Sequence, residues 1–183
     1  MEMKAKGFRA MDLAYAAVCA ALMAVCSWIS IPSTVPFTLQ TFAVFCTLGL
    51  LGGKRGTAAI LVYLLLGALG VPVFAGFSGG IGVLFGTTGG YLLGFILMGL
   101  VYWIGERLNA ESRVVRIAAM VLGLLLCYAF GTAWFMLVYA RQAGAIALGT
   151  ALAWCVVPFL LPDLVKMVLA LLLSERLRKA LHL

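Results

Sequence analysis

The sequence has little charge and few groups able to do acid–base or metal chemistry. Of its 183 residues 10% are Asp, Glu, Lys or Arg, and His182 is its one histidine. That leaves His-based catalysis and His-built metal sites without material. No phosphate-binding loop is present. Gly52-Gly-Lys-Arg55 lacks both the Gly-x-x-x-x-Gly-Lys spacing and the Ser or Thr that follows it, so the chain has no sequence for hydrolysing ATP itself. The five cysteines, Cys19, Cys26, Cys46, Cys127 and Cys155, are odd in number, and each lies in an apolar stretch without metal-ligand spacing. They read as small apolar packing residues.

What the chain has in excess is apolar length. A hydrophobic fraction of 65% and a mean hydropathy of +1.16 describe an all-α protein embedded in a lipid bilayer. Residues 1–183 are expected to form one integral membrane domain, because no stretch is polar enough to fold as a separate soluble unit. The net charge of +7 is no nucleic-acid stripe, since the basic residues cluster at the ends of apolar spans. Eleven of the thirteen fall on one side: Lys4, Lys6 and Arg9, then Lys54 and Arg55, then Arg107, Arg113 and Arg116, and finally Arg176, Arg178 and Lys179. By the positive-inside rule this predicts six transmembrane helices with both termini cytoplasmic.

The first span is expected from about Leu13 to Ile31. Val18 and Val25 before the two nearby cysteines fit a lipoprotein cleavage site poorly, so this span is expected to stay uncleaved. It carries a ridge of Ala16, Ala20 and Ala24, with Ala17 and Ala21 alongside; such ridges allow close backbone approach between helices in lipid. The second span runs to about Gly53, and Lys54-Arg55 reads as a loop before a third span from Gly56 to about Val73. An uncharged, glycine-rich segment, Phe74 to Gly82, precedes span four, which contains Gly86-Thr-Thr-Gly-Gly-Tyr91 and ends near Gly105. Span five covers about Val114 to Tyr139. In the last segment Ala145 to Val157 is expected to be a short surface helix, with the final span starting at Pro162, because proline suits the first turn of a helix.

Within that final span Asp163 and Lys166 are the only opposite charges placed together inside a long apolar run. Three residues apart on a helix they share a face. Each costs roughly 2.5–3.5 kcal/mol at a bilayer centre on insertion scales, so each needs a partner. Starting the helix at Pro162 would also set Asp163 beside unpaired backbone N–H groups. The pair reads either as a structural ion pair or as the polar anchor of a ligand site. No second intramembrane carboxylate accompanies Asp163, which removes an aspartyl-protease site, and no chain of ionisable groups forms a proton relay. The remaining polar groups on the same side of the membrane are Thr38, Gln40, Ser78, Thr87 and Thr88. Phe37, Phe74, Phe77, Tyr91, Trp134 and Phe135 lie among them. Apolar walls with a few convergent polar groups are the composition of a small-molecule pocket. A pocket without an ATPase either couples to an ion gradient or borrows a motor, and the scarcity of intramembrane ionisable groups favours borrowing.

Over nearly its whole length the chain resembles the BioY family, the biotin-binding S components of energy-coupling factor (ECF) vitamin transporters. The matching stretches are Val35-Pro-Phe-Thr-Leu-Gln40, Gly70-Val-Pro-Val-Phe-Ala75, Gly79-Gly80, Gly86-x-Thr-Gly-Gly-Tyr91 and Pro158-Phe-x-x-x-Asp-x-x-Lys166. The family usually reads Gly-Pro-Thr-Gly-Gly-Tyr, and Thr87 stands in the proline's place. The resemblance implies the six-helix S-component fold in a bacterial or archaeal cytoplasmic membrane. It implies biotin as transported ligand with no cofactor, and partnership with a transmembrane scaffold subunit and paired ABC-type ATPases. It also implies docking of the Ala16, Ala20 and Ala24 ridge on that scaffold. The expected ligand-binding residues are Asp163, Lys166, Ser78, Thr38, Gln40, Phe37, Phe74, Tyr91 and Trp134. Asp163 and Lys166 would engage the ureido group, or Lys166 the carboxylate tail. The alternatives are an S component for another small heterocycle and a small-solute channel.

Overall fold

Gly52 decides the path of the chain. The computed structural model describes residues 10–109 and 112–181, so Lys4, Lys6, Arg9 and His182 lie outside the described residues. After helix α1 (Ala10–Trp28) and a short antiparallel ribbon, β1 (Ser30–Ile31) with β2 (Phe37–Thr38), comes α2 (Gln40–Ala68). Inside α2, Gly52 adopts φ 77 and ψ 174, which is not helical. A Cβ placed on Gly56 would lie 3.2 Å from the Cα of Leu48. Eight residues along an unbroken helix cover about 12 Å, so that approach requires the chain to double back. Residues 40–51 and 53–68 are therefore two antiparallel limbs. With α1, α4 (Gly89–Asn109), α5 (Arg113–Ala143) and α7 (Val157–Leu181) they make six helical crossings among the described residues. The expected loop at Lys54-Arg55 is instead the first turn of the second limb.

The first limb is short. Residues 40–51 cover about 18 Å at 1.5 Å per residue, against a hydrocarbon core of about 30 Å. Gln40 and Thr41, at its start, are consequently held within the bundle and not at its rim. The loop of residues 29–39 fills the remaining depth, and the Leu39 N–H bonds back to the carbonyls of Cys26 and Ile29.

Helix α2 is central and packs against α1, α4 and α7, while α5 lies along α4. Small residues set the closest approaches. A Cβ on Gly53 would meet Trp103 of α4, and one on Gly94 would meet Cys127 of α5. The α1 face of Ala16, Ala20 and Ala24 belongs to the same internal packing, with the three alanines 3%, 3% and 5% exposed. The expectation that this ridge docks a partner is thus corrected, because the protein's own core covers it. All five cysteines are free and buried.

The basic end of the bundle is tied by polar contacts between elements. The Gly53 N–H donates to Glu106 Oε2 at 2.5 Å, which caps the second limb of α2 from α4. Arg55 pairs with Asp12 at 2.9 Å, and Arg113 with Glu175 at 2.7 Å. At the opposite end the chain forms a 3₁₀ turn (Ala75–Phe77), a four-residue helix α3 (Ile81–Leu84) and the short helix α6 (Leu148–Cys155). Val156 (φ −124, ψ −55) breaks α6 from α7. The separate short helix is present as expected, but α7 begins at Val157 and holds Pro162 inside it. Pro158, not Pro162, occupies the first turn. Asp163 is therefore more than a turn into the helix, and side chains must satisfy it.

Candidate functional site

A cavity of about 260 Å³ lies at the end of the bundle away from the basic side chains, bounded by every long helix except α1. Its floor is polar. Gln40 and Thr41 come from the start of α2, Tyr128 from α5, and Asp163 and Lys166 from α7. The walls are mostly apolar: Phe74 from the glycine-rich loop, Tyr91, Leu92 and Phe95 from α4, Leu124 from α5 and Phe159 from α7.

Asp163 and Lys166 are 1% and 6% exposed. Lys166 Nζ donates to Asp163 Oδ1 at 2.8 Å, to the Thr38 carbonyl at 2.6 Å and to Thr41 Oγ1 at 3.2 Å. All three ammonium protons thus have oxygen acceptors. Thr41 Oγ1 in turn donates to Asp163 Oδ1 at 2.8 Å, and Tyr128 OH donates to Oδ2 at 2.6 Å. The two charges are buried as a network in which each is paired and hydrogen-bonded, the condition under which burial is tolerated. The Phe37 ring lies under the ammonium, 4.3 Å from its centroid, and stacks on Phe159 at 5.7 Å. Phe37 is accordingly a support for Lys166 and not a wall of the cavity.

The glycine-rich loop is anchored where it meets the cavity. Phe74 sits in a socket made by Gly67, whose Cβ, if present, would overlap the phenyl ring. The Phe74 N–H donates to the Ser78 carbonyl at 2.9 Å, which closes the turn. Phe77 has φ 55, unusual for a residue with a side chain. It stacks on Trp28 at 5.0 Å, while Trp28 Nε1 donates to the Pro72 carbonyl at 2.9 Å. Ser78 reaches the cavity but turns its hydroxyl to the Ala75 carbonyl at 2.8 Å.

Of the residues expected at a ligand site, Asp163, Lys166, Ser78, Thr38, Gln40, Phe74 and Tyr91 line one cavity. Tyr91 offers its ring, since its hydroxyl is bonded to Thr132 at 2.9 Å. Trp134 is not among the lining residues: its indole packs against Gly90 and donates to the Gly86 carbonyl at 3.0 Å. Thr41 and Tyr128 are site residues that the sequence reading does not single out. Tyr128 does carry a signal, because a phenol in the middle of an apolar span needs a buried partner, and Asp163 is a carboxylate in the middle of another.

A six-crossing helical membrane protein with a buried ion pair at the floor of an apolar cavity has the space and the polar groups that a small, largely uncharged molecule would need. Similarity to known proteins specifies the class. The family description "BioY family" matches residues 1–183, and the chain belongs to that family. It is 45% identical over 169 residues to the biotin transporter BioY of Thermotoga maritima, covering 92% of this chain and 96% of that one. Against the biotin transporter BioY of Rhodobacter capsulatus it is 37% identical over 150 residues, 77% of each chain. A crystal structure of the S-component for biotin from an ECF-type ABC transporter superposes with a TM-score of 0.80 at 28% identity, covering 98% of this chain and 95% of that one.

Proposed function

We propose that this chain is the biotin-binding subunit of an ECF-type uptake system, holding biotin in the cavity above Asp163 and Lys166. The observation that carries this reading is the fully hydrogen-bonded pair facing an apolar cavity, in a chain whose family relatives are named biotin transporters. Biotin has a ureido group with two N–H donors and one carbonyl acceptor, an apolar bicycle and a carboxylate tail. Asp163 accepts from a ureido N–H and Lys166 donates to the ureido oxygen. That oxygen displaces one present acceptor of Lys166, and the 3.2 Å bond to Thr41 is the longest of the three. Phe74, Tyr91 and Phe95 enclose the bicycle. Groups around Thr38 and Ser78 fix the tail.

The protein sits as one domain in a bacterial or archaeal cytoplasmic membrane with both termini inside, a reading supported by the distribution of basic residues. It performs no covalent chemistry. A transmembrane scaffold subunit and paired ABC-type ATPases supply the energy, in keeping with the missing phosphate loop. A partner helix approaching α1 would meet the exposed Ala14, Ala17 and Ala21.

The test is equilibrium binding of biotin to purified protein beside Asp163→Asn and Lys166→Ala. The expected result is nanomolar binding, weakened in either variant by at least about 100-fold, roughly 2.7 kcal/mol. Tight binding untouched by both changes would return the pair to a structural role. Absence of binding to the unaltered protein would remove the biotin assignment.

A further inference from the structure

Tyr63 is fully buried beside the cavity, lies edge-on to Phe74 at 5.5 Å and is not itself a lining residue. Its hydroxyl has one proton, and that proton goes to the Val73 carbonyl at 2.9 Å. Ser27 Oγ, with one proton, lies 2.6 Å from the same carbonyl and 2.7 Å from that of Ala24, so Tyr63 is the donor that serves Val73 when Ser27 bonds within its own helix. With its proton on Val73, the Tyr63 oxygen accepts from the Gln40 carboxamide at 2.6 Å. A carboxamide that must present its NH₂ to Tyr63 has its carbonyl on the other side.

Gln40 lines the cavity. Among the described residues no group donates to its Oε1. The buried side-chain atoms without a partner are Thr47 Oγ1 and Ser174 Oγ, and Oε1 is not one of them. It is unbonded yet not sealed, and the open space beside it is the cavity. An amide free to turn would accept a ligand N–H or donate to a ligand oxygen with equal ease. A locked one does not.

We propose that Tyr63 is a positioning residue for specificity: it locks Gln40 with Oε1 toward the ligand, so the site selects a ring N–H over a ring oxygen at that position. The inference rests on the biotin reading and makes Gln40 the acceptor for the ureido N–H that Asp163 does not take. A site built to bond an N–H rejects an analogue lacking it, because two acceptors then face each other without a proton between them.

The experiment compares biotin with its two cyclic carbamate analogues, in which one ureido N–H at a time is replaced by oxygen. Binding is measured to the unaltered protein, Tyr63→Phe, Gln40→Met and the double variant. The unaltered protein is expected to prefer biotin to each carbamate by about tenfold or more, one preference arising at Asp163 and the other at Gln40. Tyr63→Phe is expected to collapse one of these two preferences to within about threefold and to spare the other, since the released amide can turn to donate to the ring oxygen. Gln40→Met collapses the same one. The double variant loses no more than either single change, as two residues acting through one group require. A structural role alone predicts that Tyr63→Phe weakens all three ligands by one common factor, and that outcome, or two intact preferences, overturns the inference. Should Tyr63→Phe fail to fold, Gln40→Met keeps the Tyr63–Val73 bond, and a retained double preference there overturns it as well. No biotin binding by the unaltered protein overturns the functional reading and this inference together.

Discussion

Asp163 and Lys166 illustrate what single residues reveal in an apolar chain. Their spacing on one helix face and the insertion cost of each charge suffice to pair them from the sequence alone. The neighbours that make the pair tolerable, Thr41 and Tyr128, come from elsewhere in the sequence, and only the fold brings them to 2.8 and 2.6 Å from the carboxylate. Whether the pair also stabilises the protein can be separated from the role proposed for it toward a ligand. Asp163→Leu leaves a buried ammonium without its carboxylate, a change expected to cost about 3–5 kcal/mol. Asp163→Leu/Lys166→Met removes both charges and is expected to unfold at a higher temperature than Asp163→Leu, because no uncompensated charge remains. Biotin binding is expected to be lost in both. Thermal unfolding of the detergent-solubilised proteins gives the order, and a double variant as fragile as the single one would mean that the ion pair itself stabilises the bundle.

At the level of elements, the apolar spans are legible in the sequence and their ends are not. Hydropathy locates every crossing, but it puts a loop at Lys54-Arg55 where the structure has a turn made at Gly52 alone. Hydropathy cannot see a reversal of one residue, and the group that completes it, Glu106, lies 53 residues after Gly53, whose N–H it accepts. The start of the last helix is misplaced for a related reason. Proline suits a first turn, yet two prolines four apart compete for that place, and Pro158 takes it while Pro162 is accommodated inside. The hairpin gives a direct prediction. Gly52→Ala adds a Cβ at φ 77 and ψ 174, a region essentially confined to glycine and costing roughly 1–3 kcal/mol, and sets it 3.0 Å from a Glu106 oxygen. Glu106→Ala removes the acceptor for the Gly53 N–H at a cost of about 0.5–2 kcal/mol. Both are expected to lower the unfolding temperature and to leave biotin affinity within about threefold, since the hairpin lies at the end of the bundle opposite the cavity. A large loss of affinity in either would show that the two ends are coupled.

For the whole molecule, the count of basic residues and the count of crossings have to agree. Asn109 and the last turn of α7 stand at the end marked by the Gly53–Glu106 and Arg113–Glu175 contacts, while Ala145 lies beyond the far end of α5. One crossing therefore separates Asn109 from Ala145, and one more separates Ala145 from Ala180. In the orientation proposed from the positive-inside rule, Asn109 and Ala180 face the cytoplasm and Ala145 the outside. Because all five native cysteines are buried and free, a cysteine introduced at an exposed position can be read against a low background. Asn109, Ala145 and Ala180 are each exposed. A membrane-impermeant maleimide added to intact cells is expected to label Ala145→Cys and to label Asn109→Cys and Ala180→Cys only after lysis. The reverse pattern would invert the orientation and place the biotin cavity on the inner face, where an uptake subunit could not collect its ligand. Labelling of Ala145→Cys together with Ala180→Cys in intact cells would instead mean that the segment after Val156 fails to cross, and the Asp163–Lys166 pair could then not be held inside the bilayer.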